Sequence, residues 1–197
     1  MVSLPPALLA LGCLLAAGPA FCGEPVRHHT GPYSFSDELG GFRILSVSGT
    51  GTREDPAVVV QEFHSASPVT LVIRAETPIV PHAADGPFAN GYVHLSIVAR
   101  NASGLAWTEF EFELQQELGK PSDYYDGLSF DQRRLEGRNI ESSSFARFIR
   151  DYEPYDRLLF TDGHVDPGGE ADFTFLISDF TPEPVFYLVQ DPRIPSS

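Results

Sequence analysis

Glu109-Phe110-Glu111-Phe112-Glu113-Leu114 decides the fold class, because acids and large apolar side chains alternate there without a break. In an extended chain side chains two apart share a face, so this run sends three apolar groups inward and three carboxylates outward. A helix competes, since Phe110, Leu114 and Leu118 are spaced by four. Phe112 and the strict alternation favour a strand, with a turn or short helix beginning near Gln116.

The same short alternation recurs on both sides, broken by Gly, Pro, Asn and Asp. It predicts strands over Phe42 to Val47, Ala57 to Phe63, Val69 to Ala75 and Tyr92 to Ala99 before this run. After it come Ser144 to Ile149, Arg157 to Phe160, Asp172 to Ile177 and Val185 to Val189. Eight or nine strands with no long helical segment predict an all-β fold of two packed antiparallel sheets, a β-sandwich of the jelly-roll or immunoglobulin-like kind. Residues 41–197 form that single domain, preceded by an N-terminal extension at 23–40. A polar, turn-rich excursion at 119–141 leaves the sheets, with Tyr124, Tyr125, Leu128 and Phe130 available to pin it down. Loops of that length in a compact domain raise a functional question.

Leu4 through Ala20 is an apolar and small-residue run that reads as the core of a signal peptide spanning residues 1–22, cleaved after Ala20 or Cys22. The basic segment expected ahead of it is missing. Pro5, Pro6 and Pro19 and the short length disfavour a retained membrane anchor. Cys13 and Cys22 lie in or beside this leader, so the exported chain holds at most one cysteine and no internal disulfide. Its stability comes from an apolar core, which a chain of this length can bury. The expected location is secreted or periplasmic.

With 27 acids against 13 Lys and Arg, the formal net charge is −14. That disfavours nucleic acid and anionic membrane surfaces, whose phosphates need basic side chains. Lys120 is the single lysine, and Arg133-Arg134 is the only adjacent basic pair.

Three constellations carry candidate chemistry. Glu109, Glu111 and Glu113 on one strand face stand about 7 Å apart, near the carboxyl separation of glycoside hydrolysis. Such an enzyme also needs one buried carboxyl with a raised pKa. The bland reading is a solvated sheet face. Laminarinase-like retaining β-sandwich enzymes carry Glu-x-Asp-x-x-Glu; aligned from Glu109, this chain has Glu111 for the aspartate and Leu114 for the last glutamate. Second, Asp162, Asp166, Glu170 and Asp172 could supply oxygen ligands to calcium, although Pro167 stands where an EF-hand loop needs glycine. Turn formers and acids between strands explain the same residues. Third, Tyr124, Tyr125, Asp126 and Asp131 offer aromatic area with acidic rim groups for a sugar ring or a protein; with Asp123, the acids there make a further metal candidate.

The histidines lack a recurring metal spacing, and neither His-Glu-x-x-His nor Gly-x-Ser-x-Gly occurs. Gly49-Thr50-Gly51 reads as a turn. Asn101-Ala102-Ser103 fits the glycosylation pattern.

Two segments, Val98 to Leu114 and Asp162 to Ile177, resemble the paired signatures of small secreted bacterial β-sandwich exoproteins. In these an Asn-x-Ser/Thr-Gly turn leads into a Trp-containing strand, and a Pro-Gly turn precedes a late Phe-rich strand. The resemblance implies packing roles for Trp107 and Phe110 and a structural turn at Pro167-Gly168, and it brings no catalytic residue. The expectation is therefore a noncatalytic surface or matrix module binding extracellular carbohydrate or protein. The alternatives are a glycoside-active enzyme using two of the three glutamates, or a calcium-stabilised structural protein; no other cofactor is expected. The sequence leaves the oligomeric state open.

Overall fold

The computed structural model describes residues 26–84, 86–123, 125–130, 139–150 and 154–195. The leader expected at 1–22 lies outside them. Thirteen strands form two sheets: β1 His28–Thr30, β2 Tyr33–Ser36, β3 Phe42–Ser48, β4 Ala57–Phe63, β5 Val69–Ala75, β6 Tyr92–Asn101, β7 Glu109–Gln115, β8 Leu128–Phe130, β9 Glu141–Ser142, β10 Phe145–Ile149, β11 Arg157–Gly163, β12 Glu170–Asp179 and β13 Val185–Arg193. The seven-stranded sheet runs β1-β2-β5-β13-β7-β11-β10 and the six-stranded sheet β3-β4-β6-β12-β8, with β9 also on β12. Every strand pairing is antiparallel except β4 with β6. The fold is thus all-β and mostly antiparallel, with a sandwich-like pair of sheets.

Thirteen strands replace the eight or nine read from the sequence. β1 and β2 arise inside the expected N-terminal extension, where β2 pairs with β5 from Tyr33↔Ala75 to Ser36↔Val72. β8 lies inside the excursion and β9 begins at its last residue; both pair with β12. These four span two to four residues each, too short for a period of two to emerge from local pattern.

The core forms where the inner faces meet. Phe110, Phe112 and Leu114 on β7 are fully buried, as are Phe173 and Phe175 on β12. Phe112 stands edge-on to Phe173 and Phe175 at ring separations of 5.1 and 4.9 Å, within the range aromatic pairs prefer. Trp107 closes one end of the core, edge-on to Phe63 at 5.4 Å. One polar pair interrupts the apolar filling. Gln61 on β4 and Gln190 on β13, both wholly buried, bond each other's side-chain amides in both directions. Each amide satisfies the other, so the pair costs little and ties one sheet to the other at a single register.

Candidate functional site

The glutamates of β7 lie on the outer face of the seven-stranded sheet, and strand register decides what they meet. Glu109 is opposite Arg193 of β13, Glu111 opposite Asp191, and Glu113 opposite Arg157 of β11. Arg193 reaches Glu111 at 2.8 Å, Asp191 at 3.4 Å and Glu109 at 3.7 Å. Arg157 holds Glu113 at 2.6 Å, and Gln115 donates to the other oxygen of Glu113 at 2.7 Å.

Glu109 and Glu113 are partly exposed, as expected of a wetted face, whereas Glu111 is buried. Burial pushes its carboxyl above the usual range, Arg193 and Arg157 pull it down, and Asp191 and Glu113 push it up again. Burial likewise raises Asp191 against the pull of Arg193. The raised carboxyl that a glycosidase acid requires is therefore present at Glu111, but an oxygen of it faces a guanidinium. This arrangement stitches three central strands together across their outer face.

In the excursion, Tyr124 and Asp131 lie outside the described residues. Asp126 spends its carboxylate on the backbone, accepting from the amides of Asp123 at 3.2 Å and Leu128 at 3.0 Å. The Tyr125 amide donates to the Asp123 carboxylate at 2.9 Å. These bonds make a tight, side-chain-closed turn, and Gly127 completes it at φ +86°, where a Cβ would strike Thr181. The turn docks on the end of β12: Phe180 donates its amide to Gly127 and the Thr181 hydroxyl donates to the Asp126 carbonyl at 2.6 Å. Tyr125 projects from it, 89% exposed.

Beside that dock sits an aromatic group from three other segments. His82 lies 5.6 Å from Phe180 and 5.9 Å from Tyr92 between ring centres, and His82 Nδ1 is 3.0 Å from the Tyr92 hydroxyl. Two acids beneath this end are perturbed. Burial, with Asp126 and Asp123 adding to it, raises Asp156 to about 6 against the pull of Ser129 and Arg150. Asp179 is raised by burial, against hydrogen bonds from the backbone of Thr181 and Glu183, with Asp126 and Glu183 pushing further up.

The four acids of the second turn are not gathered. Asp162 lies 3.5 Å from Arg147, Asp166 3.9 Å from His164, and Glu170 3.3 Å from Arg100. Asp172 pairs with Val98 in the ladder. Among the described residues no group of three or more His, Cys, Asp or Glu is placed to hold a metal ion. Pro167-Gly168 is a turn, with the Gly168 amide on the Asn101 carbonyl at 2.7 Å. Asn101 of the glycosylation pattern is buried, and its side-chain nitrogen donates to the carbonyls of Leu105 and Val165 at 2.8 and 3.0 Å. Once the chain is folded, that nitrogen serves the turn rather than facing an enzyme.

Sequence reading missed Arg193, Arg157, Asp156, Asp179 and the His82, Tyr92 and Phe180 group. No local motif marks them: Arg193 and Arg157 meet their glutamates through strand pairing, and His82, Tyr92 and Phe180 come together from separate segments. Among the described residues no helix is long and apolar enough to cross a membrane. No protein-family model, curated protein or solved structure matches this chain.

Proposed function

We propose that the chain is a secreted or periplasmic, noncatalytic β-sandwich module, surface or matrix associated, that binds extracellular carbohydrate or protein. The contact surface is the end of the sandwich carrying Tyr125, His82, Tyr92 and Phe180. The observation that carries this reading is Tyr125, 89% exposed on a turn closed by two aspartates. A rigid aromatic platform loses little conformational freedom on binding, which suits a stacked sugar ring or a protein side chain. The parallel β4–β6 pair sets the sandwich apart from an all-antiparallel jelly roll or immunoglobulin domain, and we propose a topology of its own.

Binding screens against glycans and extracellular proteins test the reading. Tyr125→Ala and Tyr124→Ala are expected to weaken the interaction found while leaving the melting temperature in place. Unchanged affinity would remove the tyrosines from the site. The glycoside-active alternative draws on the raised carboxyl of Glu111. It requires turnover on a glycoside that Glu111→Gln abolishes, and turnover surviving that change and the same change at Glu109 and Glu113 ends it. A calcium-stabilised version has no arrangement of described acids behind it.

A further inference from the structure

The two sheets differ in what their outer faces carry. That of the seven-stranded sheet holds the ion pairs of Glu111, Asp191 and Arg193 at its centre. The six-stranded sheet presents short side chains instead. Val58 and Val60 of β4, Ser96 and Val98 of β6 and Thr174 of β12 point outward and are half-buried. Register sets Val58 beside Ser96 and Val60 beside Val98. The next row along, at the opposite end of the strands from the Tyr125 turn, is charged. Arg43, Glu62, Arg100 and Glu170 stand side by side, one from each of the adjacent strands β3, β4, β6 and β12, with alternating sign. The chain as a whole carries −14, yet here Arg43 and Arg100 stand against Glu62, Glu170 and the outward Asp172. Within the molecule Glu170 lies 3.3 Å from Arg100 and Glu62 lies 3.7 Å from His64. Arg43 is exposed and has no ion-pair partner among the described residues.

We infer that two copies of the chain pair through this face, about a two-fold axis running along the strands between β4 and β6. That rotation reverses the charged row from side to side and keeps it at the same end. Plus, minus, plus, minus then lies against minus, plus, minus, plus: Glu62 meets Arg100 of the second copy, and Arg43 meets Glu170 of the second copy. A two-fold contact must be self-complementary, and this row meets the condition. The same rotation sets Val60 on Val98 of the second copy. An axis across the strands through that apolar row would instead set Glu62 on Val58 and Arg100 on Ser96, pressing charges against uncharged groups. Packed sheets cross at about 30°, so the pairs on the two inner strands, Glu62 with Arg100, are the ones that close. Four strands about 4.8 Å apart and about seven residues long give roughly 400 Å² per copy, small for a specific interface, so the expected dissociation constant is on the order of 10 to 100 µM. The axis also leaves both Tyr125 ends facing one way. The inference rests on the six-stranded face alone; joined to the module reading, it makes the pair bivalent toward one surface.

The test is sedimentation equilibrium of residues 23–197, which hold both sheets. It runs from about 10 µM to about 1 mM at about 0.15 M salt, where repulsion between two acidic copies is screened beyond about 8 Å. The wild-type chain is expected to show a monomer–dimer equilibrium. Glu62→Arg and Arg100→Glu each set like charges against each other twice per dimer, and each should weaken association at least about tenfold. An equimolar mixture of these two variants should recover the wild-type affinity, because each supplies the charge the other lacks. Mixing would not mend a damaged fold. Val98→Arg, at the apolar centre, should abolish the dimer while the melting temperature of dilute protein stays in place. A monomer at 1 mM, a dimer indifferent to both reversals, or reversals that mixing does not mend would each overturn the inference. If Glu62→Arg or Arg100→Glu fails to fold, Arg43→Glu mixed with Glu170→Arg makes the same comparison on the outer strands. Ligand binding by the Val98→Arg chain, with and without Tyr125→Ala, judges the module reading separately.

Discussion

The outer face of the seven-stranded sheet and the excursion end of the sandwich are both rich in carboxylates, yet they solve the same electrostatic problem in opposite ways. On the sheet face, Glu109, Glu111, Glu113 and Asp191 share Arg193 and Arg157 at 2.6 to 3.7 Å. At the excursion end, Asp123, Asp126, Asp156 and Asp179 lean on one another, and three of them spend oxygens on backbone amides. Acids paired across a ladder hold strands together. Acids crowded against one another, with Arg150 pulling on Asp156, spend their oxygens on backbone amides and hold a turn.

The largest effect should come from breaking the paired side. Arg193→Met strips the cation from Glu111, Asp191 and Glu109. Removing one partner of a buried pair costs about 3 to 5 kcal/mol; with the Arg193 side chain 37% exposed, screening brings the expected loss to about 1 to 2 kcal/mol. Urea unfolding at pH 7 measures it. The loss should shrink on acidification as Glu111 and Asp191 take up protons, and a pH-independent loss would count against the pairing as its source.

The unpaired side should respond in the reverse sense. Asp156 moves from 3.8 to about 6 on folding. A raised carboxyl contributes stability in full below its unfolded pKa and loses it as pH rises through the folded one, so the contribution present below about pH 4 is gone above about pH 6. At about 1.4 kcal/mol per unit the whole shift corresponds to about 3 kcal/mol, cut to about 1 kcal/mol by the partial exposure of Asp156. Asp156→Asn should therefore stabilise the protein by about that much at pH 7 and remove about half that amount from the gain seen between pH 7 and pH 5. Equal melting temperatures of the two proteins at pH 7 would refute the crowding.

The smallest structural effect belongs to Tyr125→Ala, expected within about 0.5 kcal/mol in unfolding because the turn is closed by Asp123 and Asp126 rather than by the ring. A larger loss would make Tyr125 a packing residue and dissolve the contrast between the two ends.

The sheet positions were legible from local pattern wherever alternation ran long enough. β4 and β5 match their sequence-read limits at both ends, and β7 departs by a single residue. β13 runs four residues past its sequence-read limit at Val189, through Asp191 and Pro192, residue types depleted in strands, with Pro192 opposite Phe110. The candidate sites were less legible for a reason of distance along the chain. Arg193 is 82 residues from Glu111, and only the register of β7 on β13 brings them together. The alternation of Glu109, Glu111 and Glu113 shows which face they share but not what stands opposite. In the same way Arg43, Glu62, Arg100 and Glu170 alternate in sign only after four strands are laid side by side.

The place of β13 also bears on how the molecule comes into being. Among the described strands it is the last in chain order and the fourth of seven in its sheet, holding β5 on one side and β7 on the other. During synthesis the two flanks of that sheet emerge without the strand that joins them, so these non-local pairings must wait until β13 has been made. A ribosome that terminates early at Val185 would not release a slightly shortened protein; it would release two half-sheets with raw edges. Quality control of this fold is thereby concentrated at β13, and a nonsense codon just ahead of that strand should be as damaging as one in the middle of the two sheets.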